Sequence, residues 1–142
     1  QVTATDKSAA ALSIAAENAL AHGLNNVKFI NSDWFSALDN QLFDVIVSNP
    51  PYICNNDPHL QQGDVRFEPR SALTAGDDGL EDIRHIIKNS QAHLVHGGIL
   101  LLEHGYDQAT AVCQLLTAAH FEQVNDFSDH NPQPRVAIGH LK

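Results

Sequence analysis

The sequence contains no methionine, only two cysteines and no long apolar run. A chain without methionine has no initiator residue of its own, and it opens abruptly on "QVTATD", so we expect a piece of a longer protein. Cys54 and Cys113 form no C-x-x-C pair, which indicates neither a metal site nor a disulfide framework. Two reduced cysteines are typical of a cytoplasmic protein. No run approaches the roughly 20 residues that span a bilayer, and no signal peptide is visible, so we expect no membrane partner.

Basic residues are also scarce. The chain has 8 Lys+Arg against 17 Asp+Glu, a formal net charge of -9. An acidic domain repels phosphate backbones, which argues against extended contact with nucleic acid, although a local basic patch is compatible with this composition. The 142 residues, 43% of them hydrophobic, suit one globular domain.

Strand-like and helix-like segments alternate along the chain, which predicts an α/β fold with a mostly parallel sheet. The long connection 50–80 is rich in proline and glycine and is predicted to be an irregular, functional loop. The last two strands are separated by "SDHNPQP" and are expected to form an antiparallel pair. The predicted strands are 1–6, 27–31, 43–49, 99–103, 122–127 and 135–141, and the predicted helices are 7–22, 81–94 and 107–119.

Polar side chains fall where the predicted strands end. In parallel sheets, ligands bind beyond the carboxyl ends of the strands. The residues at those ends are Asp6, Asp33, Trp34, Asn49 and Glu103. Asp6 alone would equally serve as the N-cap of the following helix, and Trp34 alone would equally be a half-buried core residue. The run Val45–Val47 has no polar interruption and is predicted to be covered on both faces of the sheet.

The sharpest motif is Asn49-Pro50-Pro51-Tyr52, directly after the third predicted strand. The two prolines remove two backbone donors and fix φ at both positions, so the strand must stop there. The Asn49 side-chain oxygen and the Pro50 carbonyl can accept the hydrogens of a planar nitrogen, and the Tyr52 ring can cover that planar group. The alternative is a proline-rich turn that only ends the strand.

This tetrapeptide resembles motif IV of S-adenosylmethionine (SAM)-dependent methyltransferases that modify planar nitrogens. Three further motifs, Phe67-Glu68-Pro69, Asp78-Gly79-Leu80 and Glu103-His104-Gly105, resemble those of HemK/PrmC-type protein glutamine N5-methyltransferases. The likeness covers essentially the whole chain, and it is closer to the release-factor enzymes than to their ribosomal-protein relatives. It implies SAM as methyl donor, S-adenosyl-L-homocysteine as product, and as substrate the glutamine in the Gly-Gly-Gln motif of peptide chain release factors.

The resemblance also implies roles for individual residues. Asn49, Pro50 and Tyr52 are the expected catalytic residues, and together with Pro51 they are expected to bind the substrate. Asp6 is expected to accept hydrogen bonds from the cofactor ribose. Trp34, in preference to Asp33, is expected to stack on adenine, and Asn49 also adjoins the cofactor.

The expected fold is Rossmann-like, with residues 1–142 as the C-terminal portion of a single methyltransferase catalytic domain. The family's glycine-rich cofactor loop and the strand before it are missing from the sequence, so we expect the chain alone to bind SAM weakly and to be inactive. Alternatives are a methyltransferase of adenine or guanine amino groups, a ribosomal-protein glutamine methyltransferase, and a non-catalytic binding domain.

No metal site is expected. His93 and His96 have no third ligand nearby and are interpreted as solvent-facing residues at a helix end. Arg70 and Arg135 are interpreted as solvated arginines, with contact to the substrate as the alternative. The role of Glu68 stays open between ordering the loop and contacting the substrate.

Overall fold

The computed structural model describes residues 1–61 and 63–142, which form two compact units, Gln1–Gln41 and Leu42–Lys142. No helix among the described residues is both long and apolar enough to cross a membrane.

The first unit is a β-α-β arrangement. Its two strands pair in parallel along their whole length, from Val2 opposite Val27 to Asp6 opposite Asn31. Parallel strands need a crossover connection, which the helix between them supplies. All three predicted elements are therefore confirmed, and the helix starts two residues later than predicted. The elements are β1 (Val2–Asp6), α1 (Ala9–Ala21) and β2 (Val27–Asn31).

The start of α1 differs from the prediction in its cap. The hydroxyl of Ser8, not the carboxylate of Asp6, accepts a hydrogen bond from the Ala11 amide, at 3.2 Å. Asp6 Oδ1 instead accepts from the Ser8 amide at 2.7 Å, which shapes the turn before the helix. The helix ends one residue before the predicted end at residue 22, and Gly23 follows the C-cap with φ +67, a conformation that glycine adopts at little cost.

The second unit contains a four-stranded sheet in the order β3-β4-β6-β5. β3 and β4 are parallel, and β6 is antiparallel to both β4 and β5. Only β6 therefore runs in the reverse direction, which confirms the predicted C-terminal antiparallel pair in a mostly parallel sheet. The elements are β3 (Phe43–Ser48), α2 (Glu81–Ser90), β4 (Leu94–Glu103), α3 (Ala109–Ala118), β5 (Phe121–Ser128) and β6 (Pro134–Leu141).

The predicted boundary between α2 and β4 is wrong. The helix ends at Ser90, and the strand begins at Leu94, five residues earlier than predicted. The three residues Phe43 to Val45 of β3 lie opposite a longer stretch of β4, Leu94 to Ile99, so the ladder carries a bulge. Gly97-Gly98, which directly precedes the predicted strand 99–103, lies inside this bulge, where glycine tolerates the irregular backbone.

The core of the second unit lies between its sheet and the helices α2 and α3. Buried residues recur at three- and four-residue spacing in α2 and at alternate positions in β4, as each geometry requires. The two helices contact each other, so they cover the same face of the sheet. The fully or almost fully buried residues are Ile83, Ile86, Ile87, Leu100, Leu102, Val112, Leu116 and Ala137.

Two further predictions about burial are wrong. Val45 and Val47 are 49% and 73% exposed, because β3 is an edge strand and its unit places helices on one face of the sheet only. His93 is buried in the short turn Gln91–His93 between α2 and β4, whereas His96 is exposed as predicted. Among the described residues, no group of three or more potential ligands is placed to hold a metal ion.

The connection 50–80 contains three short 3₁₀ helices rather than being wholly irregular: Pro58–Gln61, Asp64–Phe67 and Arg70–Ala72.

At the end of this connection, one carboxylate organises the start of α2. Asp78 Oδ1 accepts hydrogen bonds from the Leu80 amide and from Arg84 Nη1, both at 3.1 Å. The hydrogen bond from Arg84, followed by the one from Leu80, lowers the pKa of Asp78 to about 2.

Replacing Arg84 with glutamine is expected to raise the pKa of Asp78 from about 2 toward its ordinary 3.8. Because the folded-state pKa is depressed, this pair contributes to stability above pH 3.8, and the contribution is lost as the pH falls through about 2. A ¹³C carboxyl NMR titration measures the shift. Lys88→Gln, which removes the same charge from the exposed side of the same helix, is the control, and an equal rise in both variants would contradict the assignment.

Candidate active site

Asn49 follows β3 directly and is exposed, whereas Pro50 is buried and Pro51 and Tyr52 are half-buried. Among the described residues, neither the Asn49 carboxamide nor the Pro50 carbonyl oxygen has a hydrogen-bond partner. The turn therefore presents two unsatisfied acceptors next to an aromatic ring. These are the groups that the sequence analysis assigned to holding a planar nitrogen.

The long loop returns to this turn and pairs with its continuation. The Ile53 amide donates to the Leu73 carbonyl at 2.9 Å, and the Ile53 carbonyl accepts from the Ala75 amide at 3.0 Å. The Asn55 amide donates to the Gly76 carbonyl at 2.9 Å. The residues after Tyr52 are thus held by an isolated parallel bridge between Ile53 and Thr74, and the loop contributes directly to the position of the motif.

The Tyr52 side chain is held by the end of β4. Its hydroxyl donates to Glu103 Oε1 at 3.2 Å. Burial, then the negative charge of Glu103 and the hydrogen bond to it, raise the pKa of Tyr52, and nearby Arg135 partly opposes this rise. Tyr52 is therefore a neutral phenol at ordinary pH, with its ring orientation fixed by a carboxylate.

The Glu103-His104-Gly105 motif is anchored to the C-terminal hairpin. His104 is completely buried, with Nε2 2.6 Å from Asp126 Oδ2 on β5 and Nδ1 2.8 Å from the Gly105 carbonyl oxygen. Arg135 Nη1 donates to the His104 carbonyl at 3.2 Å, and its guanidinium lies 3.7 Å from Asp129. The interpretation of Arg135 as a solvated residue is therefore wrong, since its side chain is engaged beside Tyr52.

Gln108 is the residue of this site that sequence analysis missed. Its Nε2 donates to the Tyr52 carbonyl at 3.0 Å, and its Oε1 accepts from the Gly105 amide at 2.8 Å. Gly79 packs against the same carbonyl, and a Cβ on it would lie 2.3 Å from the Tyr52 oxygen. The only signal in the sequence is a glutamine just before a helix, which by itself indicates no contact with a distant turn.

The exposed loop motif Phe67-Glu68-Pro69 makes little contact with the site. Phe67 is 74% exposed, with the Arg66 guanidinium 4.6 Å from its ring centre. Glu68 and Arg70 are exposed as well, which agrees with the interpretation of Arg70 as solvated. Their arrangement assigns no role to Glu68.

In the first unit, Asp6 and the turn that contains Trp34 lie at the same edge, because β1 and β2 are parallel. Asp6 is exposed, and its Oδ2 has no hydrogen-bond partner among the described residues. Asp33 is paired with Lys7 at 2.8 Å. A free carboxylate oxygen fits a ribose hydroxyl, so the donor chemistry of Asp6 is compatible with a nucleoside cofactor, and Asp33 is the less available of the two acids.

Trp34 is half-buried and has a left-handed backbone conformation, φ +52, which is unusual for a bulky residue. The buried hydroxyl of Ser32 imposes this turn, since it donates to the Trp34 carbonyl at 2.9 Å and accepts from the Ala37 amide at 3.0 Å. The backbone at Trp34 is thus fixed, and the half-buried side chain keeps part of its surface accessible, as stacking on a planar base requires.

Glu103→Gln is expected to lower the pKa of Tyr52, because it removes the carboxylate charge that favours the neutral phenol and leaves a neutral amide oxygen as a weaker hydrogen-bond acceptor. Burial, the largest cause of the rise, remains in the variant. Titration of ¹³Cζ-tyrosine by NMR, with the signal assigned by its loss in Tyr52→Phe, measures it. Glu122→Gln on exposed β5 is the control, and an unchanged pKa in Glu103→Gln would refute the contact.

Gly79→Ala is expected to destabilise the protein more than Gly97→Ala does. Both positions have positive φ, +69 and +78, so both variants carry the cost of a left-handed alanine. Only position 79 adds a collision with the Tyr52 carbonyl, because nothing lies within 4 Å of a Cβ at position 97. The extra loss in the free energy of unfolding, measured with urea, should be roughly 1–3 kcal/mol. Equal losses would show that the approach to Tyr52 is not tight.

Comparison with known proteins supports the family resemblance. The sequence pattern of the methyltransferase small domain matches residues 1–64. Release factor glutamine methyltransferase of Xylella fastidiosa (strain Temecula1) is 55% identical over 139 residues, which cover 98% of this chain and 50% of that protein. The proteins of the same name from Escherichia coli (strain K12) and Pseudomonas aeruginosa (strain PAO1) are 50% and 51% identical over 98% and 97% of the chain. The chain spans about half the length of these curated relatives.

Solved structures share the fold at low identity. A methyltransferase from Pyrococcus furiosus superimposes with a TM-score of 0.73 at 19% identity, over 99% of this chain and 62% of that one. A release factor-specific protein-(glutamine-N5) methyltransferase from Alicyclobacillus acidocaldarius gives 0.54 at 22%, over 99% and 78%. These similarities confirm the Rossmann-like methyltransferase fold. The predicted resemblance is also confirmed, since the chain is similar over nearly its whole length to about half of a release factor glutamine methyltransferase of the HemK/PrmC type.

Proposed function

We propose that the protein containing this chain transfers a methyl group from SAM to the side-chain nitrogen of a glutamine, in the Gly-Gly-Gln motif of peptide chain release factors. Identities of about 50% with release factor glutamine methyltransferases over nearly the whole chain support this substrate. The proposal includes residues 1–142 as the C-terminal portion of a single methyltransferase domain. It also includes a cytoplasmic location, which agrees with the two free cysteines Cys54 and Cys113.

The observation that carries the proposal is the pair of free acceptors at Asn49 and Pro50. The lone pair of an amide nitrogen is delocalised into its carbonyl, so this nitrogen is a weak nucleophile. Two acceptors aimed at its hydrogens hold it in place and favour the pyramidal geometry in which the lone pair is available. A carboxamide at position 49 does this without adding a negative charge to the site.

Tyr52 would cover the planar amide and exclude water from it. Its hydrogen bond to Glu103 and the contacts to its backbone fix the ring before the substrate arrives. Such preorganisation is effective because orientation alone can supply roughly 7–11 kcal/mol of a barrier. The catalytic contribution of this chain is therefore alignment, with Asn49, Pro50 and Tyr52 in contact with the reacting amide and Pro51 keeping the turn rigid.

The cofactor would be held by Asp6 through its ribose hydroxyls and by Trp34 through its adenine, with Asn49 adjoining it. When bound, SAM supplies an electrophilic methyl group and leaves as S-adenosyl-L-homocysteine. The free Oδ2 of Asp6 and the half-buried indole of Trp34 fit these roles.

The alternative functions differ in the molecule that accepts the methyl group. A methyltransferase acting on nucleic acid would have to bind a phosphate backbone, which a net charge of -9 disfavours. A ribosomal-protein glutamine would need the same amide-holding groups, so only the protein partner distinguishes it. Transfer of labelled methyl groups from SAM to release factor, ribosomal proteins, ribosomal RNA or DNA separates these substrates in one assay, and it should be carried out with the full-length gene product that contains this chain (the full-length protein).

Asn49→Ala in the full-length protein is expected to reduce kcat toward release factor by roughly 100- to 1000-fold, the usual effect of removing one such polar contact from a transition state. The Kd for SAM, measured by calorimetry, should change far less. Asn56→Ala, the same substitution at an exposed position beyond the motif, is the control. Equal losses in kcat and SAM affinity would make Asn49 a cofactor-binding residue rather than a catalytic one.

A further inference from the structure

We propose that Gln108 is a positioning residue for the reaction, which holds the Asn49–Tyr52 turn in its working geometry through the Tyr52 carbonyl. This inference rests on the proposed function. Gln108 lies outside all the motifs that carry the family resemblance, and it touches neither of the two free acceptors at Asn49 and Pro50.

The turn has few backbone donors that could fix its position. Pro50 and Pro51 have no backbone N–H, so the middle of the turn can donate no backbone hydrogen bond. The Ile53 amide is already bonded to the Leu73 carbonyl. The peptide group between Tyr52 and Ile53 is thus held on both sides, because its N–H is bonded to the loop and its carbonyl accepts from Gln108 Nε2 at 3.0 Å.

The same side chain ties this carbonyl to two other turns. Its Oε1 accepts from the Gly105 amide at 2.8 Å, and its Nε2 also lies 3.4 Å and 3.5 Å from the carbonyl oxygens of Gly79 and Asp78. Three segments far apart in sequence thus converge on one carboxamide. Gly79 makes the convergence possible, because any side chain there would collide with the Tyr52 carbonyl.

Gln108 itself is rigidly placed. Its amide donates to the Gly105 carbonyl at 2.9 Å, and its carbonyl accepts from the Val112 amide at 3.0 Å in the first turn of α3. Val112 and Leu116 of α3 are completely buried in the core. The position of the Tyr52 carbonyl is therefore coupled to the hydrophobic core through one helix and one side chain.

The decisive variant is Gln108→Glu, which has the same shape. It keeps an acceptor for the Gly105 amide but replaces the donor by a carboxylate oxygen that repels the Tyr52 carbonyl. In the full-length protein we expect kcat toward release factor to fall by up to roughly 100-fold, the scale of a misplacement of about 1 Å. The Kd for SAM should be almost unchanged. Gln114→Glu, on the exposed side of the same helix, introduces the same charge without the contact and should behave as wild type.

A pH profile separates positioning from a general loss of stability. At low pH the introduced carboxyl is protonated and can donate its O–H to the Tyr52 carbonyl, so the activity of Gln108→Glu relative to wild type should recover. Burial and the facing carbonyls raise its pKa above the ordinary value of about 4.3, which brings the recovery toward measurable pH. The same ratio for Gln114→Glu should stay flat. The charged or titratable groups around this position are Asp78 with its partner Arg84, Asp107, Tyr52, Glu103, His104 and Arg135.

Lower kcat with retained SAM binding, and recovery at low pH, would support the role of Gln108. Equal activity of Gln108→Glu and Gln114→Glu at every pH would overturn it. A Gln108→Glu variant with a lower melting temperature but an unchanged kcat would overturn it as well. If the wild-type protein does not methylate release factor, the proposed function fails, and the ¹³C shift of the Tyr52 carbonyl still tests the contact. That shift should change in Gln108→Glu and not in Gln114→Glu, and an unchanged shift would refute the inference.

Discussion

The structure of this site depends on a turn whose two central residues have no backbone donors. Pro50 and Pro51 make the turn stiff, but stiffness alone does not place it relative to the rest of the protein. Its location comes from neighbours that approach it from outside: the returning loop at Ile53, the Glu103 carboxylate at the Tyr52 hydroxyl, and the Gln108 amide at the Tyr52 carbonyl. Because these contacts use the flanks of the turn, its two acceptors stay free for a ligand.

The contacts around the turn come from several secondary-structure elements of the unit. Glu103 is the last residue of β4, and Arg135 of β6 reaches both the His104 carbonyl and the neighbourhood of Tyr52. The antiparallel hairpin therefore supports the site although it contributes none of the acceptors. A hairpin in that position also explains why His104, completely buried against Asp126, follows directly after a site residue.

Much of this arrangement can be predicted from the sequence, because alternating periodicities, glycine and proline positions and the Asn49–Tyr52 motif are local signals. The boundary of β4 was missed since Gly97-Gly98 looks like a terminator, whereas only strand pairing reveals a bulge. The exposure of Val47 and the burial of His93 depend on which face the helices cover. Gln108 was missed because the Tyr52 carbonyl that it holds lies 56 residues away in the chain.

The bulge in β4 has a consequence for how the protein tolerates change in length. Beyond it, the strand keeps a regular register with β3 up to Leu102 and with β6 up to Glu103. On the Leu94 side of the bulge the pairing is irregular, so an inserted or deleted residue can be accommodated there without a change of register at the far end of the strand. Changes of length in the segment that leads into β4 therefore do not move Glu103, the residue that holds the Tyr52 ring. The two ends of this strand are under different constraints.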